Sequence, residues 1–139
     1  YLDDGVFTAP AQGTMAHRFS TAGGRPAFDD GANVVETRQT PPVFGLGFLE
    51  SIPEAAILAN EDCFHPDPNA VSGCAHRLAD GRLGRLGWKA DVPNLDEFAR
   101  DAMFNEMGVT RPEADGLSFG ATRDDDDAAD PEISPADVD

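Results

Sequence analysis

The sequence predicts a mainly α, loop-rich fold. Three observations lead there. The 139 residues include 14 Gly and 11 Pro, so much of the chain must run as turns and loops. Two short stretches carry helix-start signals, and no stretch alternates apolar and polar residues for long. Apolar residues make up 40% of the chain, which is near the globular range. Together these describe short helices joined by long ordered loops, enough for one modest core.

Residues 1–40 read as an irregular N-terminal segment, with Gly, Pro and Asp at short intervals. Within it, "NVVET" has the composition of a short strand. Pro41 and Pro42 then enforce an extended approach to "VFGLG". Ser51, with Glu54 three residues on, has the form of a capping box and predicts a helix over about 52–60. "EDCFHPDPNAVSGCAHR" is a loop by composition. "GRLGRLGWKA" is a tight turn region holding the one tryptophan, Trp88; its glycines mark places where the chain turns sharply or approaches something closely. The clearest helix starts at Leu95, where Asn94 can cap it, Glu97 occupies the third helical position and Gly108 follows the last turn. The chain divides by composition into the irregular segment 1–40, a core segment 41–120 and an acidic tail 121–139 with one turn at "DPEIS".

The helix from Leu95 carries an awkward carboxylate. At about 100° per residue, Leu95, Phe98, Ala99 and Ala102 share one apolar face, with Met103 at its edge. Asp96, Glu97, Arg100 and Asp101 fall elsewhere. Glu106 returns to the middle of the apolar face. Loss of solvent and the negative end of the helix dipole would both favour its protonated form, a preparation for acid–base work. The alternatives are a frayed end that releases Glu106 to solvent, or an ion pair with Arg82 or Arg85.

Cys63 and Cys74 leave three readings open. An exported protein would join them as a disulfide closing a short loop. "CFH" and "CAH" also offer Cys63, His65, Cys74 and His76 as zinc ligand types at an unusual spacing. Free thiols are the third reading. His17, in "MAHRF", is a candidate metal or haem ligand, or an ordinary loop histidine. No C-x-x-C-H occurs, so the chain lacks the motif for covalent haem attachment.

The formal net charge is -16, from 26 acidic and 10 basic residues. That argues against nucleic acid as a partner, since binding its phosphates needs a basic surface. An acidic surface suits a basic electron-carrier protein, and equally suits solubility in salt. No stretch approaches the length of a membrane span. The chain opens "YLDDGVF" without Met, which reads as a processed or partial chain.

Three segments taken together resemble a known family: "RQTPPVFGLGFLESIPEAAIL", "GRLGRLGWKADVPNLDEFARDAMFNEMGVT" and "DDDDAADPEIS". The family is that of the bacterial di-haem oxidoreductases of the peroxidase type, relatives of the di-haem cytochrome c peroxidases. The resemblance covers roughly residues 38–137 and rests on P-P-x-x-G-L-G, G-W-K-A and E-M-G-V-T in the family's order. It implies part of a cytochrome c-like di-haem fold, haem c as cofactor and a periplasmic or otherwise exported location. Trp88, with Leu95 seven residues on, matches the tryptophan that conducts electrons between two haems. Arg82, Arg85 and Lys89 would then meet haem propionates. Glu106 matches the distal carboxylate that assists O–O cleavage.

The departures are informative. Phe98 stands where the wider superfamily commonly has glutamine, and the two haem-attachment motifs are missing. The resemblance therefore implies either the stretch between the haem-binding segments or a haem-free relative. In the first case the partner is the remaining haem-bearing part of the protein. In the second the chain is a non-catalytic subunit docked in a larger electron-transfer complex. The acidic stretch also resembles a calcium-type loop of the family. Asp124, Asp126, Asp130 and Glu132 keep the oxygen ligands, while Asp127 replaces a glycine.

Overall fold

The structure is a computed structural model. It describes the backbone of residues 2–3 and 6–7, and residues 33–37, 39, 42–124 and 126–137 with their side chains. It is loop-rich, as the Gly and Pro content requires. Two compact units divide it: Pro41–Asp101 with Glu113–Phe119, and Tyr1–Thr40 with Ala102–Pro112 and Gly120–Asp139.

In the first unit, α1 spans Leu46–Glu50 and α2 spans Glu54–Ala59. Gly45 turns the chain into α1 with φ 83°, a conformation that glycine adopts at little cost. The helix predicted over 52–60 is thus present in shorter form, but its predicted cap is not. Pro53 precedes α2, and the Ser51 hydroxyl donates backwards to the Phe48 carbonyl at 2.8 Å. Serine can satisfy either neighbour, and here the end of α1 uses it. Arg85 closes α1 as well. Its Nη1 donates to the carbonyls of Leu49, Glu50 and Ile52 at 3.3, 3.1 and 2.5 Å, supplying hydrogen bonds and positive charge where the helix leaves carbonyls exposed.

The following chain folds back on itself three times. Asp62 and Gly73 exchange both backbone hydrogen bonds, at 2.9 and 2.8 Å. Arg77 pairs with Leu83, and Leu86 pairs with Val92. The last two returns bury Leu83, Leu86 and Val92, the apolar core among the described residues. Two glycines make that packing feasible. A Cβ on Gly84 would lie 1.8 Å from the Ala90 carbonyl oxygen, and Gly87 has φ +85°. The close approach anticipated for this stretch is therefore one of backbone to backbone.

The helix α3 spans Leu95–Ala102, and a π-helical turn over Met103–Met107 follows it. Its start is as predicted. Asn94 accepts from the Glu97 N–H at 2.8 Å and returns a hydrogen bond from Nδ2 to Glu97 Oε1 at 2.7 Å. Its end is Gly108, left-handed at φ 67°, also as predicted. Its buried face is not. Glu97 and Arg100 are the buried residues of α3, while Leu95, Phe98, Ala99 and Ala102 are half-buried.

In the second unit, β1 (Leu2–Asp3) pairs antiparallel with β2 (Val6–Phe7), Leu2 opposite Phe7. The strand expected at "NVVET" does not form. Asn33–Thr37 are exposed and carry no regular structure, since no ladder pairs with them among the described residues. The acidic tail bends through 131–133 and ends in a 3-10 turn at Pro135–Asp137. Hydrogen bonds from the Ser134 hydroxyl and N–H, at 2.6 and 3.0 Å, close that turn and hold the Asp137 carboxyl below its ordinary range.

Candidate functional site

Trp88 stands on the turn between Leu86 and Val92. Trp88 is 56% exposed, although the residues at both feet of the turn are buried. The turn is held from three sides. The amides of Arg85 and Leu86 both donate to the Val92 carbonyl at 2.9 Å, and Val92 returns a bond to Leu86 at 3.1 Å. His76 Nδ1–H is shared between the carbonyls of Lys89 and Ala90, at 3.0 and 2.9 Å. The Ala90 carbonyl in turn sits over Gly84. The result is an exposed indole on a fixed mount, with the Lys89 side chain exposed beside it.

The same unit holds a charge network centred on Glu97. Glu97 has 0% of its surface exposed. Arg82 donates to both Glu97 oxygens, and from Nε to Asp80 at 2.7 Å. Ser118 gives Glu97 its N–H at 3.2 Å and its hydroxyl at 3.1 Å. Burial pushes the Glu97 carboxyl up, but the hydrogen bonds of Arg82, Ser118 and Asn94 outweigh it and leave the carboxyl below its ordinary range. Hydrogen bonds to Glu97 first and Asp80 second raise Arg82 further above its already high value. Arg82 and Arg85 are thus engaged inside the unit, one with Glu97 and one with α1. Of the three basic residues expected to meet propionates, only Lys89 presents an exposed side chain.

Glu106 belongs to the other unit and is exposed. This corrects the burial expected from a continuous α-helix. The π-helical turn over Met103–Met107 has more residues per turn than an α-helix, so positions beyond Ala102 rotate off the face that α-helical spacing assigns them. Glu106 keeps the solvent access a proton-exchanging carboxyl group requires, without the desolvation proposed for it.

The acidic tail meets the "MGVT" segment. Thr110 is fully buried; its N–H donates to Glu132 at 2.5 Å. Its hydroxyl lies 2.6 Å from Asp130 Oδ1 and 2.8 Å from Glu132 Oε2, and it accepts from the Glu132 N–H at 3.1 Å. Asp124 is held above its ordinary range by loss of solvent first. The Asp126 N–H opposes that, and the charges of Asp126, Asp130 and Glu132 reinforce it. The calcium-type set does not come together among the described residues: Asp124, Asp126, Asp130 and Glu132 form no group of three at ligand spacing. Asp130 and Glu132 serve instead to anchor Thr110.

Cys63 and Cys74 are joined in a disulfide, 11 residues apart. That resolves the three readings of the cysteines and excludes the two-histidine zinc arrangement in this state. His76 is turned to the Trp88 turn, and the His65 ring accepts from the Asp67 N–H at 3.1 Å. His17 lies outside the described residues.

Residues 27–127, more than half of the chain, match the family model described as "Di-haem oxidoreductase, putative peroxidase". The chain belongs to the di-haem oxidoreductase family. No curated protein and no solved structure matched it.

Membership in the di-haem family raises the question of how haem would be held. Both sulfurs are in the disulfide, and the sequence has no C-x-x-C-H. The residues of this chain therefore do not fit covalent attachment of a c-type haem. The Trp88 indole and the Glu106 carboxyl group are both exposed. Sequence reasoning did not assign Glu97, His76 and Thr110 the roles they take here, although each had left a signal: Glu97 in the capping box, His76 in "CAH" and Thr110 in "EMGVT".

Proposed function

We propose that this chain is the inter-haem segment of an exported di-haem oxidoreductase, acting in peroxide-dependent oxidation with haem carried on protein outside it. The observation that carries the reading is Trp88: an exposed aromatic ring held on a turn braced by His76, Gly84 and the Leu86–Val92 pair. Loop residues that serve only solubility need no such mount, whereas a ring that passes electrons must keep a constant distance to its neighbours. When bound, haem supplies the redox chemistry with peroxide. This chain's own part is an aromatic ring for electron passage at Trp88, a positive charge for an anionic edge at Lys89, and a carboxyl group for proton exchange at Glu106. The disulfide supports an oxidising compartment. The net charge of -16 supports a basic electron carrier as partner.

The test is a visible absorption spectrum of the protein purified with its natural partners. A Soret band with a pyridine haemochrome is expected, with Trp88 fluorescence quenched. In that assembly Trp88→Phe should slow electron transfer between haems. Glu106→Gln should lower peroxide turnover by roughly 10²–10⁴ with the fold intact. A haem-free assembly would instead identify a structural subunit.

A further inference from the structure

The base of the first hairpin, residues 61–75, carries a group of side chains that the haem reading leaves unused. Among the described residues it is the one place where three metal-ligating atoms converge. A Glu61 carboxylate oxygen and the sulfurs of Cys63 and Cys74 all lie within 4.8 Å of one another. We propose that, once the disulfide is reduced, Glu61, Cys63 and Cys74 bind a thiophilic divalent cation of the zinc type, making this hairpin a redox-gated metal site.

Geometry supports the assignment. Zinc takes thiolate at about 2.3 Å and carboxylate at about 2.0–2.2 Å in a tetrahedron, so its ligand atoms stand roughly 3.4–3.8 Å apart. Three atoms within 4.8 Å need only small side-chain rotations to form one face of that tetrahedron. Glu61 and Cys74 are exposed, so water has access to the fourth position.

The arrangement does not depend on the sulfur–sulfur bond. Asp62 and Gly73, each one residue before a cysteine, exchange two backbone hydrogen bonds at 2.9 and 2.8 Å. They hold the two strands together beside the cysteines, whose Cα atoms are 4.6 Å apart. Glu61 Oε1 accepts the Ala75 N–H at 2.9 Å, which orients its carboxylate across the hairpin. The histidines of "CFH" and "CAH" are not members of the group, so the ligand set is two sulfurs and one oxygen.

The chemistry balances. A dithiol reductant transfers two electrons and two protons, becoming a disulfide itself and leaving two thiols on the hairpin. Cation binding then releases those two protons and sets a charge of two plus against two thiolates and one carboxylate. In a chain of net charge -16, that neutralisation favours the metal-bound form over two bare thiolates. Exchange with a small-molecule disulfide, which takes up the two electrons and two protons to become a dithiol, re-forms the hairpin disulfide and ejects the cation.

The site is independent of the haem reading, and its test needs no haem. The full chain, oxidised and phosphine-reduced under argon, is titrated with Co²⁺ and then Zn²⁺. The expected result is one equivalent of Co²⁺ in the reduced form alone, with a sulfur-to-cobalt charge-transfer band that Zn²⁺ displaces. Glu61→Gln should weaken Co²⁺ at least about tenfold. The Cys63→Ser/Cys74→Ser variant keeps the acidic surface and measures its background binding. The proposal is overturned if the reduced protein binds no more Co²⁺ than that variant, if the oxidised protein binds equally, or if Glu61→Gln leaves affinity unchanged. Far-ultraviolet circular dichroism runs alongside. A reduced chain that loses its fold and shows no band counts equally against the site.

Discussion

Replacing Gly84 with alanine places one methyl group where no space exists. Its Cβ would lie 1.8 Å from the Ala90 carbonyl oxygen and 2.8 Å from the carbonyl carbon. An ordinary carbon–oxygen contact is about 3.3 Å, so the backbone at Ala90 must retreat by about 1.5 Å. That carbonyl accepts from His76 at 2.9 Å, and the Leu86–Val92 pair closes the same turn. Two or three hydrogen bonds are then lost or stretched, at a net cost near 1 kcal/mol each. Part of the packing of Leu86 and Val92 goes with them. The total is about 3 kcal/mol, or roughly 10 °C in melting temperature for a chain of this size. Thermal unfolding followed by circular dichroism and by Trp88 emission measures it. Gly47→Ala is the control: it lies in α1 with no atom within 4 Å of its would-be Cβ. Alanine there should stabilise by up to about 1 kcal/mol through helix propensity. Equal melting temperatures for the two variants would refute the close-packing account of this turn.

Glu97→Gln should destabilise by about 1–3 kcal/mol near neutral pH, because Arg82 and Ser118 lose a charged acceptor; the exposed part of Arg82 keeps the figure modest. The sign with pH is fixed by the lowered carboxyl. Its stabilisation is complete above the ordinary value of 4.5 and is lost as pH falls below that through the folded-state value. Urea titrations across this range should show wild type and Glu97→Gln converging at low pH. Thr110→Val keeps the shape but removes the hydroxyl that Asp130, Glu132 and the Glu132 N–H share, so unfolding should be easier by about 1–3 kcal/mol. Arg85→Met should loosen α1 and leave the Leu86–Val92 turn in place, read as faster amide exchange within 46–52 alone.

What could be read from the sequence was what depends on near neighbours. Asn94, Glu97 and Gly108 marked the limits of their helix because capping is settled within a few residues. The burial of Glu97 and Arg100 was not legible. It depends on Ser118 and Phe119, which lie 21 and 19 residues away and offer no periodic signal. Glu106 was misplaced because a π-helical turn adds a residue that α-helical spacing does not count. Ser51 was assigned to the wrong helix because a hydroxyl caps forwards and backwards with equal ease. Trp88 was recognisable as a special position from its glycines. That Gly84 makes room for a carbonyl, with His76 bracing the same turn, required the structure.

The pairing of Asp62 with Gly73, reinforced by the disulfide one residue further on, has a consequence for the nine residues between the two cysteine-flanking strands. A protease that cuts anywhere in 64–72 severs the polypeptide but leaves one molecule, because Cys63 still carries Cys74. The nicked protein would migrate as a single band without reductant and as two fragments with it. The same property makes 64–72 a natural splice point. A peptide tag inserted there would extend away from a base already closed by two backbone hydrogen bonds and a covalent link.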